Sequence, residues 1–176
     1  MPNEFVLRGS NATLQFVPVP NVRAGELAER ILGPDEYNIA DVVGRVTGVE
    51  VCIHTDLETF HEIGRRHAVS LHPGNINIFG RIDRAYINGA LLRLLMGDAA
   101  EPNRTGATAD LEVQPFFNIV IDLNNNLNPG SGTEVTVEGV RFENWSFVVP
   151  EDDFVMENVT FKALFISREE REPSAS

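Results

Sequence analysis

The sequence holds one cysteine, one lysine and no apolar run long enough to cross a bilayer, and each shortage narrows what the chain can be. With Cys52 alone, no internal disulfide forms and no cysteine-based zinc cluster can be built from one copy. Its place in the run Val49-Glu50-Val51-Cys52-Ile53 suggests a small core hydrophobe. A bilayer span needs about 20 apolar residues. The first 20 residues (MPNEFVLRGSNATLQFVPVP) also lack a basic region followed by an apolar one, so the expectation is a chain without a membrane role, kept in the cytosol. Positive charge is scarce too: 14 basic against 26 acidic residues gives 14 − 26 = −12, which repels phosphate backbones and argues against a DNA-gripping role. Lys162 is the sole lysine, and the other basic residues are arginines, which favour the defined, bidentate pairs found at subunit interfaces.

Catalytic and ligand-binding patterns are equally sparse. His61-Glu62-Ile63-Gly64-Arg65-Arg66-His67 brings a metalloprotease helix to mind, but Arg65 stands where the second histidine is needed and His67 would point elsewhere. His54 and His72 have no carboxylate at a convincing spacing. Asp122, Asn124 and Asn126 match the start of a calcium loop, yet Leu127 replaces its glycine, Thr133 its glutamate, and Glu134 comes one residue late. Ser10, Ser70, Ser131, Ser146 and Ser167 lack a nucleophile elbow, and no glycine-rich phosphate loop is present. The run Glu151-Asp152-Asp153 follows Pro150 and reads as a solvated turn. The sequons at Asn11, Asn103, Asn144 and Asn158 read as coincidences of composition. No catalytic, cofactor or metal residues are therefore assigned.

What the chain does have is material for one core: 176 residues, 43% hydrophobic, with 11 phenylalanines. The sequence divides into an N-terminal arm over 1–22, a single β-rich domain over 23–168 and a flexible tail over 169–176. Within the arm, Ala12 to Val17 alternates as an edge strand does. Arg23 to Leu32 has helical spacing and stops at Gly33-Pro34. Asp41 to Thr55 reads as a long or kinked strand with Gly44 and Gly48 as bulges, and Asp56 to Arg66 as a helical turn anchored by Phe60 and Ile63. A hairpin is expected around His72-Pro73-Gly74-Asn75, and the main packing helix from Arg84 to Met96, capped by Asp83 and closed by Gly97. Asp98 to Ala109 reads as a long loop. Three strands alternate with period two: Pro115 to Leu123, Glu134 to Val149 with a register shift at Gly139, and Asn158 to Ser167, where Val159, Phe161, Ala163 and Phe165 share a face.

This order of elements resembles the tail tube proteins of tailed bacteriophages. The resemblance rests on the arm, the strand pair over Val46 to Ile82, a helix ending Leu-Leu-Met-Gly (Leu94 to Gly97), and the block PFFNIVIDLNNN…GTEVTVEGVRFENWSFVVPEDDFVMENVTFKALFIS. In that block "VEGVRF", followed after an acidic turn by "ENVTFKALFI", is similar to the closing strands of the family. The resemblance implies a mainly β (α+β) fold: a β-sandwich or barrel of two packed antiparallel sheets with one flanking helix and an extended N-terminal arm. It implies a structural virion protein, not an enzyme, located in the tail and assembled in the host cytoplasm. Six copies would form a ring, and rings would stack into a tube through which DNA passes without specific binding. Its partners would be itself, a terminator, baseplate or tip components and a sheath. The surplus of carboxylates suits a bore that must not hold phosphate. Two alternatives stay open. A β-sandwich binding or adhesion module would present Tyr37, Tyr86 or Trp145 on an exposed platform, and a tail terminator-type ring protein would share the fold. An enzyme would have to use the region of His61 and Glu62.

Overall fold

A computed structural model describes residues 9–34, 36–37, 46–100, 113–124 and 130–171. Seven strands and two helices follow in the order β1 (Ala12–Pro18), α1 (Arg23–Leu32), β2 (Val46–Phe60), β3 (Ser70–Ala85), α2 (Ala90–Met96), β4 (Phe117–Asn124), β5 (Gly132–Val148), β6 (Met156–Ala163) and β7 (Phe165–Arg171). All pairings are antiparallel, and the strands lie in the order β1-β4-β5-β6-β3-β2, with β7 also on β5. The fold is mainly β, as expected, but the two packed sheets are halves of one curled sheet, and two helices cover its concave side. Alternation explains the curl. Leu14 and Phe16 of β1, Phe117 and Ile119 of β4, Val137 of β5, Val159 and Phe161 of β6, and Ile78 and Ile82 of β3 are all buried on the same side. Burying them together requires the sheet to fold over on itself.

The bend is made in β5. Its first half pairs with β4 and β7, and its second half, from Arg141, pairs with β6. We call β1, β4, β7 and the first half of β5 sheet A, and β2, β3, β6 and the second half of β5 sheet B. The residue sums of Arg141↔Lys162 and Glu138↔Phe165 are equal, so β6 and β7 run as one register-continuous partner of β5 across the bend. At the bend Gly139 has φ 68°, and on the β4 side the pairing steps from Ile119↔Val137 to Phe117↔Val140, so one extra residue of β5 forms a glycine bulge. The Asn118 side chain accepts the Gly139 N–H at 3.0 Å, so the bulge leaves that donor satisfied.

The core is sealed by three phenylalanines, Phe16, Phe117 and Phe142, whose ring centroids lie 5.1–6.0 Å apart, and by Ala28, Ile31 and Leu32 of α1 with Ala90, Leu91 and Leu94 of α2. Phe161 lies opposite Gly80, and a Cβ there would come within 2.5 Å of its ring, so the missing side chain leaves the space the ring fills. A buried ion pair stands at the far end of the same strands. Glu157 of β6 accepts Arg84 Nε at 2.8 Å and Trp145 Nε1 at 3.0 Å. Arg84 also donates to the Asn88 Oδ1, which accepts the Ala90 N–H that opens α2.

Several sequence expectations change. Arg84 to Asn88 is not helical: Asp83, Arg84 and Ala85 pair with Asn158, Glu157 and Met156, so α2 starts at Ala90 and Asp83 caps nothing. Asp56 to Phe60 continues β2, so no helical turn forms there. His72-Pro73-Gly74-Asn75 lies inside β3, because the pairing moves from Thr55↔Ile76 to Leu57↔Pro73 and spends the extra residue as a bulge; the turn is instead 61–69. Cys52 is half-buried on the outer face, beside Phe79, and not in the core. Phe165 is exposed, because the break at Leu164 ends the phase that buries Phe161. β7 runs to Arg171, so residues 169–171 belong to the sheet. Gly48 sits at a bulge of β2, whereas Gly44 and most of the loop over 98–109 lie outside the described residues.

Candidate assembly surfaces

Of the residues weighed for chemistry, the structure brings Ser70 to His72 and Asp122 to Glu134 through Arg171, and it gives His54 a carboxylate neighbour in Asp56 that the sequence spacing did not suggest. His61, Glu62 and His67 are exposed in the β2–β3 loop; His54 lies 3.3 Å from Asp56, and Ser70 shares a 3.0 Å hydrogen bond with His72 on the same hairpin. Asp122 faces outward and pairs with Arg171 at 3.1 Å, and Arg171 also holds Glu134. Thr133 and Glu134 are paired within β5, and Asn126 and Leu127 lie outside the described residues. Among the described residues, no three of His, Cys, Asp and Glu come within reach of one metal ion. No described helix is long and apolar enough to cross a membrane.

The features that ask for a partner are backbone edges and apolar surface. Sheet B is four strands wide, ordered β5-β6-β3-β2. No described strand pairs with the outer side of β2 along its 15 residues. No described strand pairs with the second half of β5, Arg141 to Val148, on the side away from β6, where the Gln114 side chain donates to the Phe142 carbonyl. Such edges present rows of unused N–H and C=O groups, and a folded protein must either blunt them or pair them with another chain.

The second feature is an overhang. β6 pairs with β3 only from Ile78 to Ala85, so Ser70 to Asn77, with the β2 residues opposite, extend beyond the sheet as a two-stranded ribbon. A lone ribbon is marginal in water. This one, with its connecting loop, leaves Leu57, Phe60, Ile63, Leu71 and Ile76 exposed, with Ile63 fully so at 106%. An apolar set of this size on one arm marks an interaction surface.

The outer face of sheet B holds a shallow hollow of mixed character, in which Phe79 is exposed among charged side chains. Its β3, β6 and β5 residues include Arg81, Asp83, Lys162, Glu143 and Asn144, with Glu50 and Cys52 of β2. Two of the face's cations are tied to carboxylates, Arg81 to Asp83 at 3.0 Å and Lys162 to Glu143 at 3.0 Å, whereas Arg141, exposed and opposite Lys162, lies over the Phe116 ring at 5.3 Å. Partial burial, then the hydrogen bond to and charge of Glu50, push the Cys52 thiol up. The outer face of sheet A differs. It carries Asp122, Glu134 and Glu169 in one register row, with Glu138 on the same face and Arg171 reaching over to Asp122 and Glu134, so carboxylate surplus gathers there. Sequence reasoning missed both the open edges and this division of charge, since neither strand order nor facing can be read from one strand at a time.

The fold is shared with solved structures across nearly its whole length. The anti-feeding prophage cap (the tube terminating cap) matches at TM-score 0.59 and 10% identity, over 97% of this chain and 95% of that one. The sheath-tube complex of an extracellular contractile injection system matches at TM-score 0.57 and 11% identity, over 96% and 94%. The SPP1 tail tube matches at TM-score 0.53 and 9% identity, over 94% and 80%. No family model and no curated protein sequence matches the chain. The chain has the fold of tail tube and tube-terminator proteins.

Proposed function

We propose that this chain is a structural subunit of a phage-like tail, six copies of which close into a ring that stacks into a tube with a central channel. The observation that carries this reading is sheet B with its two open edges on opposite sides. If β2 of one copy lies against the second half of β5 of the next, both edges of sheet B are satisfied and no copy is terminal. Six such four-stranded sheets make one barrel of about 24 strands; at ~4.8 Å per strand and a tilt near 40° its backbone is about 48 Å across, wide enough to leave an aqueous channel.

The outer face of sheet B would then line the channel. Arg81 and Lys162 are engaged by Asp83 and Glu143 and Arg141 lies over Phe116, while Glu50, Asp83 and Glu143 offset these three cations, so the face has no net positive charge to hold a phosphate backbone and DNA would pass without specific binding. The acidic face of sheet A would lie toward the outside, where a sheath would meet the tube. Rings at the ends would meet terminator and baseplate components. The role is structural and located in the tail of the particle.

The direct test is mass by light scattering on the purified protein across a concentration series. Species at six times the chain mass, or multiples of six, are expected. A chain that remains a monomer or dimer at every concentration would overturn the reading.

A further inference from the structure

The two margins of sheet B carry opposite charges on the same face. One row of outer-face residues crosses the whole sheet: Arg141 of β5, Lys162 of β6, Phe79 of β3 and Cys52 of β2, each opposite the next. At the β5 end Arg141 is exposed and makes no ion pair among the described residues; its cross-strand neighbour is a like charge, Lys162, which Glu143 holds. At the β2 end the outer face runs on past Cys52 through His54, Asp56 and Glu58, because β2 alternates without interruption from Gly48 to Phe60. Asp56 lies 3.3 Å from His54, and Glu58 stands opposite His72. Both carboxylates are exposed and lie on the ribbon, beyond the part of β3 that β6 reaches.

Ring closure dictates how these margins meet. Sheet B is antiparallel throughout, so its first and fourth strands run in opposite senses, and β2 of one copy meets β5 of the next as an antiparallel pair. Tilted strands cannot close a barrel with level rows. Crossing one copy's four strands at ~4.8 Å each, with a tilt near 40° and ~3.3 Å per residue, reaches the equivalent position of the next copy only after a slide of about five residues along the strand. One sense of slide sets Arg141 to Val148 of the next copy against residues 40–47, most of which precede Val46, where β2 begins. The other sense sets them against residues 50–57, all within β2. In that register Arg141 comes level with the outer-face carboxylates Asp56 and Glu58. On the opposite face the same slide brings Ile53, 54% exposed in the single copy, beside Trp145 and the half-exposed Phe147 of the next.

We propose that Arg141 of one copy is received by Asp56 and Glu58 of its neighbour in the ring, and that this contact sets the register of the seam between β5 and β2. The occupant is a second copy because the two margins are complementary in charge and in apolar exposure only when slid past each other as a closed ring requires. Backbone pairing alone tolerates slippage, whereas a charge matched at one level and apolar side chains matched on the other face do not. The inference rests on the ring reading and adds the residues and the stagger by which copies join.

Cysteine pairing reads the register directly, since Cys52 is the sole native thiol. Position 52 and positions 141, 146 and 148 lie at opposite margins of one sheet, so a disulfide between them joins two copies. Under a mild thiol oxidant, Ser146→Cys or Val148→Cys should give a ladder of linked chains on non-reducing gels, and Arg141→Cys should give none. Linking through Arg141→Cys alone would overturn the stagger, and the contact with it, while leaving the ring reading intact. Charge reversal then tests the contact: Arg141→Glu, and Asp56→Arg with Glu58→Arg, should each melt like the wild type yet lose the six-fold species in light scattering, and the three changes in one chain should restore it. An undiminished six-fold species in either variant, or no recovery in the combined one, would overturn the contact but not the ring. A wild type that never exceeds a dimer would overturn both.

Discussion

Arg84 and Glu157 are the pair at which a single side chain decides the most. Both are buried, 2.6 Å apart, and Glu157 also receives the Trp145 indole N–H. Removing one partner leaves the other charge stranded away from water, so Glu157→Ala should cost about 3–5 kcal/mol, read by urea unfolding, while the shape-matched double change Arg84→Met/Glu157→Leu should recover much of that loss. A double variant no more stable than Glu157→Ala would mean that the charge pair is not the cause. Phe161→Ala should likewise cost about 3–5 kcal/mol, because the ring is buried against Gly80. Phe165→Ala, on an exposed ring, should stay within about 0.5 kcal/mol in the isolated subunit. Phe161 was legible in the sequence from alternation alone. Arg84 and Glu157 were not, since Arg84 read as the start of a helix and Glu157 fell just before the strand Asn158 to Ser167, whereas the structure pairs them directly across β3 and β6. For Cys52, the raised thiol means that maleimide labelling should go on accelerating to higher pH than for a free cysteine, and Glu50→Gln should move the profile down. Labelling with an unshifted profile would contradict the assigned surroundings.

At the scale of elements, the bend in β5 organises the fold, and Gly139 permits it. Its φ of 68° penalises any side chain, and a Cβ would lie 2.8 Å from the Leu164 side chain. Gly139→Ala should therefore destabilise by at least about 1–2 kcal/mol. Adding Leu164→Ala should return only the steric part, and complete recovery would show that backbone strain at the bulge contributes nothing. The sequence showed this bulge as a break in alternation, and it also showed α1 and the three C-terminal strands with their buried faces. It misled over residues 56–75. There Pro73 and Gly74 resemble a turn, but a long antiparallel ribbon absorbs them as a bulge, because register with β2 on either side outweighs local turn preference. The packing helix was drawn too long for a related reason: Ile87, Leu91, Leu94 and Leu95 fit a helical period, but pairing of Arg84 and Ala85 with β6 claims the preceding residues for the sheet.

For the whole molecule, the monomer leaves three things unfinished: a four-stranded sheet open at both sides, an apolar ribbon projecting past it and an aromatic patch at its other end. Lateral closure, as proposed, would answer the first. The overall acidity was plain from composition, but its placement was not: the outer face of sheet B is close to balanced, and the carboxylate surplus lies on sheet A. The channel reading therefore rests on a balance of charge, Arg81, Arg141 and Lys162 against Glu50, Asp83 and Glu143, not on an acidic lining. Cryo-electron microscopy of the assembled protein tests the central claim most directly. The account predicts a six-fold ring in which β5, β6, β3 and β2 of each copy run unbroken into β5 of the next, with Arg81, Lys162 and Cys52 facing the channel. A ring with sheet B turned outward, or with β2 left unpaired, would contradict it.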